Sequence, residues 1–404
     1  MNKITETIMN PAKDKPNMRQ IDFNQVPFLV IWEITQACHL ACIHCRACAQ
    51  PLRHPLELTT VEGFRLLDEI RRFGQPLLVL TGGDPLLRPE VFDFIAYGTE
   101  KGLRVTMTPS GTPLLTKANI MKAKEAGLKR LAISLDGSTA AIHDAFRQVI
   151  GSYDWTMQGV TAAREMGLPL QINTTMTRYN LKDLESLAAK MCELEITLWS
   201  VFFLVPTGRG KQEDELQPEE YEYVFHFLYD LSKHAPFDIK TTAAPPYRRV
   251  VLQRTKAEPA IKQSSNQAVK QSSHALRYTP QSPVTSHHSP SRFQPGFTMG
   301  SGIGRAAKGV NDGNGFVFIS HTGEIFPSGF LPISAGNVRK QSLVEVYRHS
   351  PLFTDLRDPD KLKGKCGVCE FRRVCGGSRA RAYALSGDYL ASDPSCIYQP
   401  RCDT

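Results

Sequence analysis

Apolar runs of strand length alternate with longer amphipathic segments through the first half of the chain. Six such runs are present, at 28–34, 77–81, 103–108, 130–135, 170–175 and 198–205. The segments between them repeat apolar residues at helical spacing, and the first opens with Thr59 and Glu62 at the spacing of a capping box. This alternation predicts an α/β fold built on a parallel sheet. Because six units are too few for a closed eight-stranded barrel, we predict a partial (βα)6 TIM-type barrel with its functional loops after the strands.

The pattern changes towards the C-terminus. The stretch GFVFISHTGEIFPSGF at 315–330 predicts two short strands joined by a turn, and the cysteine-bearing segment after it has few long apolar runs. Such a segment is typical of a small domain that metal partly holds together. We therefore predict four regions: a flexible tail at 1–24, the barrel at 25–252, a low-complexity basic insertion at 253–310 and the small C-terminal domain at 311–404.

The formal net charge of +8 is concentrated in the predicted insertion. Between Arg254 and Lys308, eight basic residues stand against the single acid Glu258, so the rest of the chain carries only +1. The insertion is rich in Ser, Gln, Pro and His and has few large apolar residues, which is typical of a flexible segment. The charge is therefore weak evidence for a nucleic-acid-binding face, and we expect no nucleic-acid partner.

The hydropathy pattern indicates neither a signal peptide nor a membrane span. The N-terminus lacks a basic stretch followed by an apolar one, and no later stretch approaches about 18 continuous apolar residues. We therefore expect a cytoplasmic protein with no membrane partner. Thiols stay reduced in that compartment, so clustered cysteines indicate metal binding or catalysis rather than disulfides.

A group of thiols follows the first predicted strand: Cys38, Cys42, Cys45 and Cys48. The first three share one short loop and can converge on a single inorganic centre. A structural zinc site takes four ligands, whereas an iron–sulfur cluster held by three cysteines leaves one iron open for chemistry. The spacing alone also allows a zinc loop completed by His39, His44 or Cys48.

A second motif, Gly82-Gly83-Asp84-Pro85, follows the second predicted strand. With the Cys-x3-Cys-x2-Cys loop it resembles the radical SAM enzymes. That resemblance implies that Cys38, Cys42 and Cys45 are catalytic and bind a [4Fe–4S] cluster whose open iron is chelated by S-adenosylmethionine. One-electron cleavage of that cofactor would give a 5′-deoxyadenosyl radical, which abstracts hydrogen from the substrate. The glycine motif resembles the family's Gly-Gly-Glu-Pro, which holds the methionyl amino group, with Asp84 in place of Glu.

Polar residues also end the fourth and fifth predicted strands. Ser134, Asp136 and Asn173 are candidates for binding the cofactor, and the family pattern favours Ser134. From the residues alone, Asp136 equally predicts a helix cap and Asn173 a strand cap. Arg147 is either a site residue or half of a surface salt bridge.

The C-terminal segment supplies four more cysteines: Cys366, Cys369, Cys375 and Cys396. Their number allows a zinc ribbon or a complete four-cysteine iron–sulfur site. Beside a radical SAM core, the segment resembles SPASM/Twitch-type extensions. That resemblance implies an iron–sulfur domain with an auxiliary [4Fe–4S] cluster, and Cys402 is an alternative to Cys396 as the fourth ligand.

The likeness extends to QINTTMTRYNL, FFLVPTGRG and CGGSRARAYA, which most resemble the heme-biosynthesis, iron-coproporphyrin decarboxylase-like branch. Peptide-modifying SPASM enzymes form the neighbouring branch. In the heme branch cysteines are expected where this chain has Ser328 and Ser378, and a Cys-Ala-Pro-His run is expected where it has TTAAPPYRR. These departures leave ligands for one auxiliary cluster rather than two.

Three functional hypotheses follow. The first is a radical SAM oxidoreductase that decarboxylates or trims side chains of a tetrapyrrole-like substrate and takes electrons from a ferredoxin- or flavodoxin-type donor. The second is a maturase of a ribosomally synthesised peptide. The third, outside enzymes, is a regulatory protein with structural zinc. Five arginines are candidates for pairing with propionates, or are ordinary packing residues: Arg209, Arg248, Arg249, Arg379 and Arg381.

Overall fold

The computed structural model describes residues 21–268 and 309–401. Most of the predicted N-terminal tail, most of the predicted insertion and Cys402 lie outside the described residues. Residues 253–268, which the sequence assigned to the insertion, form the second half of a helix that begins at Pro246.

One ten-stranded sheet organises the described part of the chain. Its strands are Leu29–Thr35 (β1), Leu77–Gly82 (β2), Arg104–Met107 (β3), Arg130–Ser134 (β4), Leu170–Met176 (β5), Leu198–Phe203 (β6), Asp238–Thr242 (β7), Phe316–Ile319 (β8), Glu324–Phe326 (β9) and Gly336–Asn337 (β10). Strands β1 to β7 are parallel and lie in chain order, so their C-terminal ends meet at one edge. Strand β8 joins the free side of β1 in parallel, and β9 and β10 continue the sheet in antiparallel fashion.

Helices cover the outer face of this sheet. They are Thr60–Arg71 (α1), Val91–Glu100 (α2), Lys117–Glu125 (α3), Ala140–Arg147 (α4), Ser152–Glu165 (α5), Leu184–Glu193 (α6), Pro218–Leu231 (α7), Pro246–Ala268 (α8), Leu343–His349 (α9), Pro351–Arg357 (α10), Gly364–Val368 (α11) and Arg379–Ser386 (α12). The predicted capping box at the start of α1 is confirmed: Thr59 Oγ1 accepts the Glu62 N–H, and the Glu62 carboxylate accepts the Thr59 N–H. No helix in the described ranges combines the length and the apolar character that a bilayer crossing requires.

The hydrophobic core lies between the sheet and the helices. Trp32 of β1 is fully buried and packs its ring 4.8 Å from that of Phe94 on α2. Gly63 of α1 lies against the same two rings, where an added Cβ would approach Phe94 to 2.6 Å. The first helix therefore packs closely on the sheet only because this position has no side chain.

The predicted α/β fold with a parallel partial barrel is confirmed, and so are the six predicted strands and the hairpin of β8 and β9. The seventh parallel strand, β7, was not predicted. In its sequence, DIKTT, only Ile239 is buried. Lys240 and Thr242 pair with Ser200 and Phe202 of β6 and line the barrel interior. A strand with a polar face towards a cavity lacks the apolar run by which buried strands are predicted.

Candidate active site

The three cysteines of the first loop line one cavity at the C-terminal edge of the sheet. Cys38 and Cys42 are buried, and Cys45 is half-buried. The cavity has a volume of about 1250 Å³, counting the solvent at its mouth.

Neighbouring polar groups of the chain lie within hydrogen-bonding distance of two of these sulfurs. Cys38 Sγ accepts the Leu40 N–H at 3.3 Å and lies 3.5 Å from Ser110 Oγ, while Arg147 donates to Cys42 Sγ at 3.6 Å. Burial raises the pKa of the Cys38 thiol to about 11. Metal binding would therefore release protons from this loop, and the donors around the sulfurs suit the thiolates that would result.

Arg147 lies inside the site and not on the surface. Its side chain is 11% exposed and pairs with the fully buried carboxylate of Asp136, which also accepts the Thr175 N–H at 2.7 Å. Burial alone would lower the pKa of Arg147, but Asp136 and Cys42 outweigh it and raise that pKa above its ordinary value. The alternative considered from the sequence, that Arg147 forms a salt bridge on the surface, is therefore wrong.

The glycine turn after β2 presses directly against the cysteine loop. The N–H of Gly83 donates to Thr35 O at 2.8 Å, and that of Asp84 donates to Ala37 O at 2.6 Å. A Cβ at Gly83 would lie 2.3 Å from Ala37 O, so no other residue fits there without a shift of the backbone. The backbones of Gly82 and Gly83 thereby line the same cavity as the cysteines.

Asp84 and Pro85 are not among the residues that line this cavity. The Asp84 carboxylate is fully buried and accepts the Leu86 N–H at 3.1 Å and the Thr112 hydroxyl at 2.8 Å. Pro85 begins the short 3₁₀ turn Pro85–Leu87 that Asp84 caps. In this structure the carboxylate fixes the turn, while the glycine backbone faces the cavity.

Strands β4 and β5 contribute further polar groups. Ser134 and Asn173 pair in register at the strand ends, and both line the cavity. The Asn173 Oδ1 accepts a hydrogen bond from Gln171 at 2.7 Å. Asp136 does not line the cavity, and it acts on the cysteine loop through Arg147.

Two further residues that the sequence analysis considered, Arg209 and His44, also line the cavity. The backbone N–H of Arg209 donates to Cys45 O at 2.9 Å and its Nε donates to Cys42 O at 2.9 Å, while its Nη2 is buried with no partner in the described part of the chain. His44 packs its ring 4.5 Å from that of Phe146. Burial, together with the charges of Arg147 and Arg209, lowers the pKa of His44 well below its ordinary value, so the ring is neutral. Arg209 lies in the stretch FFLVPTGRG, whose likeness to the heme branch was the sequence signal for this residue.

Of the five arginines considered for propionate binding, only Arg209 lines this cavity. The others are held by protein groups: Arg248 by the carbonyls of Val310 and Val374, Arg249 by Glu222, Arg379 by the carbonyls of Tyr389 and Ala391, and Arg381 by Glu215 and the carbonyl of Leu204. Their ordinary packing role is the one that the structure shows.

The four C-terminal cysteines line a second, smaller cavity of about 370 Å³: Cys366, Cys369, Cys375 and Cys396. Three of the sulfurs accept backbone N–H groups, from Asp393 to Cys366 at 3.3 Å, from Phe371 to Cys369 at 3.4 Å and from Gly377 to Cys375 at 3.4 Å. Amide hydrogen bonds to sulfur are among the ways in which proteins tune iron–sulfur clusters. The donor set and its surroundings therefore fit a four-cysteine cluster.

Cations surround this second group of thiols. Arg249, Lys365 and Arg372 line the cavity, and burial raises the pKa of Cys375 to about 12. In the described ranges, no three or more His, Cys, Asp or Glu side chains are gathered as a site for a single metal ion. Ser328 and Ser378 are buried, and the Ser378 hydroxyl caps α12 by accepting the Arg381 N–H at 3.2 Å.

Comparison with known proteins identifies relatives of this chain. The model of the Radical SAM superfamily matches residues 32–191. The AdoMet-dependent heme synthase of Methanosarcina barkeri is 40% identical over 94% of this chain and 99% of that relative. The pre-heme d1 synthase of Dinoroseobacter shibae is 29% identical over 91% of this chain and 85% of its own. Among solved structures, Streptococcus suis SuiB bound to the precursor peptide SuiA is similar in fold, with a TM-score of 0.63, 16% identity and coverage of 98% of this chain and 84% of that one.

Proposed function

The chain belongs to the radical SAM superfamily, and on that basis we propose that it oxidatively decarboxylates or trims a carboxylate side chain of a tetrapyrrole. Bound together, a [4Fe–4S] cluster and S-adenosylmethionine would supply a 5′-deoxyadenosyl radical that takes a hydrogen atom from the substrate. The observation that carries the proposal is the convergence of the three loop cysteines and the glycine turn on one large cavity. The 40% identity to a heme synthase supports the choice of substrate class.

Each predicted site residue has a place in this proposal. Cys38, Cys42 and Cys45 would hold the cluster. The backbones of Gly82 and Gly83 and the side chains of Ser134 and Asn173 would contact the cofactor from the cavity wall. Asp84 and Pro85 would fix the glycine turn, and Asp136 would orient Arg147 towards Cys42.

The rest of the cavity suits a large flat molecule. Five phenylalanines line it: Phe202, Phe203, Phe316, Phe318 and Phe330. Aromatic walls favour the face of a conjugated macrocycle, because stacking adds to the burial of apolar area. Arg209 has an unpartnered Nη2 on the same wall, which suits a carboxylate at the edge of such a molecule.

The second cysteine group has a role in the electron balance of this reaction. When a propionate becomes a vinyl group, a hydrogen atom, carbon dioxide and one further electron leave the side chain. The acceptor of that electron would be one auxiliary [4Fe–4S] cluster held by Cys366, Cys369, Cys375 and Cys396. A ferredoxin- or flavodoxin-type protein would supply the electron that starts the next turnover.

A peptide maturase is the alternative within the superfamily. The similar solved structure contains a bound precursor peptide, but at 16% identity it shows the fold alone. The test is anaerobic turnover by protein with reconstituted clusters, comparing iron-coproporphyrin with candidate precursor peptides. We expect 5′-deoxyadenosine and a porphyrin product that is lighter than the free acid by carbon dioxide and two hydrogen atoms for each converted side chain. Modification of a peptide with none of the porphyrin would overturn the tetrapyrrole assignment, and zinc without sulfide in the purified protein would overturn the radical chemistry.

A further inference from the structure

A third cavity adjoins the active-site cavity in the barrel interior. It has a volume of about 900 Å³ and shares with the first cavity the side chains of Ile31, Phe202, Phe316 and Phe330. Its remaining walls come from β7, the segment after β7 and the start of β1. The two cavities therefore adjoin each other at these shared apolar side chains.

None of the described residues that line this third cavity is a cysteine or a histidine. Ala243, Ala244 and Ser328 are part of its wall. These are positions at or beside those where the resemblance to the heme branch predicts cysteines. The cavity therefore has the volume for a ligand but lacks the thiols for a cluster, since a hydroxyl and two methyl groups do not replace thiolates.

Lys240 contributes a cation to this cavity. It lies on β7 opposite Ser200 of β6, is half-buried, and forms no ion pair in the described part of the chain. Burial, with the like charges of Arg130 and Arg248, lowers the pKa of Lys240 to about 8, so the group is still largely protonated near neutral pH. An ammonium drawn partly out of water without a carboxylate partner is destabilised, and a carboxylate ligand would offset that cost.

The other charged groups at this cavity are already engaged. Arg248 donates to Val310 O at 2.5 Å and to Val374 O at 3.3 Å. Asp312, the acid on the wall, accepts the Ala380 N–H at 3.1 Å. Asp238 of β7 acts electrostatically on Arg130. Lys240 is thus the cation on this wall for which the described residues show no hydrogen bond or ion pair, whereas protein carbonyls fix Arg248 in place.

We propose that Lys240 binds a carboxylate side chain of the substrate and so anchors one edge of the macrocycle inside the barrel. This inference rests on the proposed function, because it takes the substrate to be a tetrapyrrole with ionised side chains. The opposite edge would then face the cysteine loop and Arg209. The apolar side chains shared by the first and third cavities would hold the macrocycle. Arg209 at one edge and Lys240 at the other would select a substrate with carboxylates on both edges.

Binding measurements on protein with reconstituted clusters test this assignment. Iron-coproporphyrin and its tetramethyl ester are titrated into the unaltered protein, Lys240→Met, Lys240→Arg and the surface control Lys182→Met. A charge-assisted hydrogen bond corresponds to about tenfold or more in affinity. We expect Lys240→Met to weaken binding of the acid by about that factor with no change for the ester. Lys240→Arg and Lys182→Met should stay within about threefold of the unaltered protein.

The outcomes separate the two proposals. Turnover of iron-coproporphyrin, together with equal affinity of Lys240→Met and the unaltered protein for the acid, would overturn the role of Lys240 alone. Failure of the unaltered protein to bind or convert the porphyrin would overturn both. Should Lys240→Met fail to fold, the pH dependence of affinity for the acid in the unaltered protein and in Lys240→Arg decides the matter, because the lysine loses its charge as the pH rises past about 8 and a guanidinium does not.

Discussion

The guanidinium of Arg147 donates a hydrogen bond to the sulfur of Cys42 across 3.6 Å. The same guanidinium pairs with the buried carboxylate of Asp136, so the C-terminal end of β4 is connected to the cysteine loop after β1. A fixed cation beside a thiolate stabilises negative charge there. If Cys42 holds the proposed cluster, reduction would add an electron beside Arg147, and the guanidinium would favour the reduced state.

We therefore expect Arg147→Gln to make the midpoint potential of the SAM-binding cluster more negative and to slow cleavage of S-adenosylmethionine by about tenfold or more. Redox titration followed by electron paramagnetic resonance measures the first effect, and 5′-deoxyadenosine formation measures the second. Arg164→Gln, which removes an exposed arginine paired with Glu195, is the control. An unchanged potential at full iron content would show that Arg147 has only a structural role.

Replacing Cys42 with alanine should abolish the cleavage of S-adenosylmethionine. Two cysteines cannot hold the cluster with its open iron, so both the cluster and the cofactor site should be lost. The matched control is Cys48→Ala in the same loop, whose half-buried thiol lies outside the Cys-x3-Cys-x2-Cys pattern. Full cleavage by the Cys42 variant, or complete loss in the Cys48 variant, would contradict the assignment of ligands.

The sequence predicted the strands and the cysteines well, because both depend on local patterns. Apolar runs mark β1 to β6, and the two glycines after β2 mark a turn that allows close backbone contact. The spacing of the C-terminal thiols likewise identified four side chains that the structure gathers around one cavity. These features follow from residue type and separation along the chain.

The directions of polar side chains were less predictable. Asp84 and Asp136 stand at strand ends, where the sequence suggested ligand contacts, yet both carboxylates are fully buried and bind groups of the protein. Which way such a side chain points depends on partners distant in sequence, such as Thr112 for Asp84 and Arg147 for Asp136. Strand β7 was missed for a related reason, since Lys240 faces a cavity that only the assembled barrel creates.

Loss of one auxiliary ligand should separate radical formation from product formation. In Cys375→Ala we expect bound iron to fall from about eight to about four per chain, because each [4Fe–4S] cluster holds four irons. Cleavage of S-adenosylmethionine with a chemical reductant should persist, while the porphyrin product is lost. The control is Cys192→Ala, which removes an exposed thiol on α6. Normal product yield at halved iron content would exclude the auxiliary cluster as electron acceptor.

Arg381 should be important for stability rather than for substrate binding. It is 1% exposed and donates to Glu215 at 2.7 Å, to Leu204 O at 2.7 Å and to Ala243 O at 2.9 Å, which connects α12 to the barrel. We expect Arg381→Met to lower the free energy of unfolding by about 3 to 5 kcal/mol, because the Glu215 carboxylate loses its partner while buried. Denaturant unfolding measures this, with the exposed Arg65→Met of α1 as control. Equal stability of the two variants would contradict it.

Affinity for the carboxylate substrate should fall as the pH rises through the pKa of Lys240, which is about 8. Below that pH the ammonium is charged and pairs with a carboxylate, and above it the neutral amine does not. Its neighbouring cations Arg130 and Arg248 are guanidiniums, which stay protonated over this range, so we expect affinity for iron-coproporphyrin to drop by about tenfold between about pH 7 and pH 9.5. The tetramethyl ester should show no such drop, and Lys240→Arg should keep its affinity because a guanidinium stays charged. Parallel pH profiles for the unaltered protein and Lys240→Arg would show that another group governs binding.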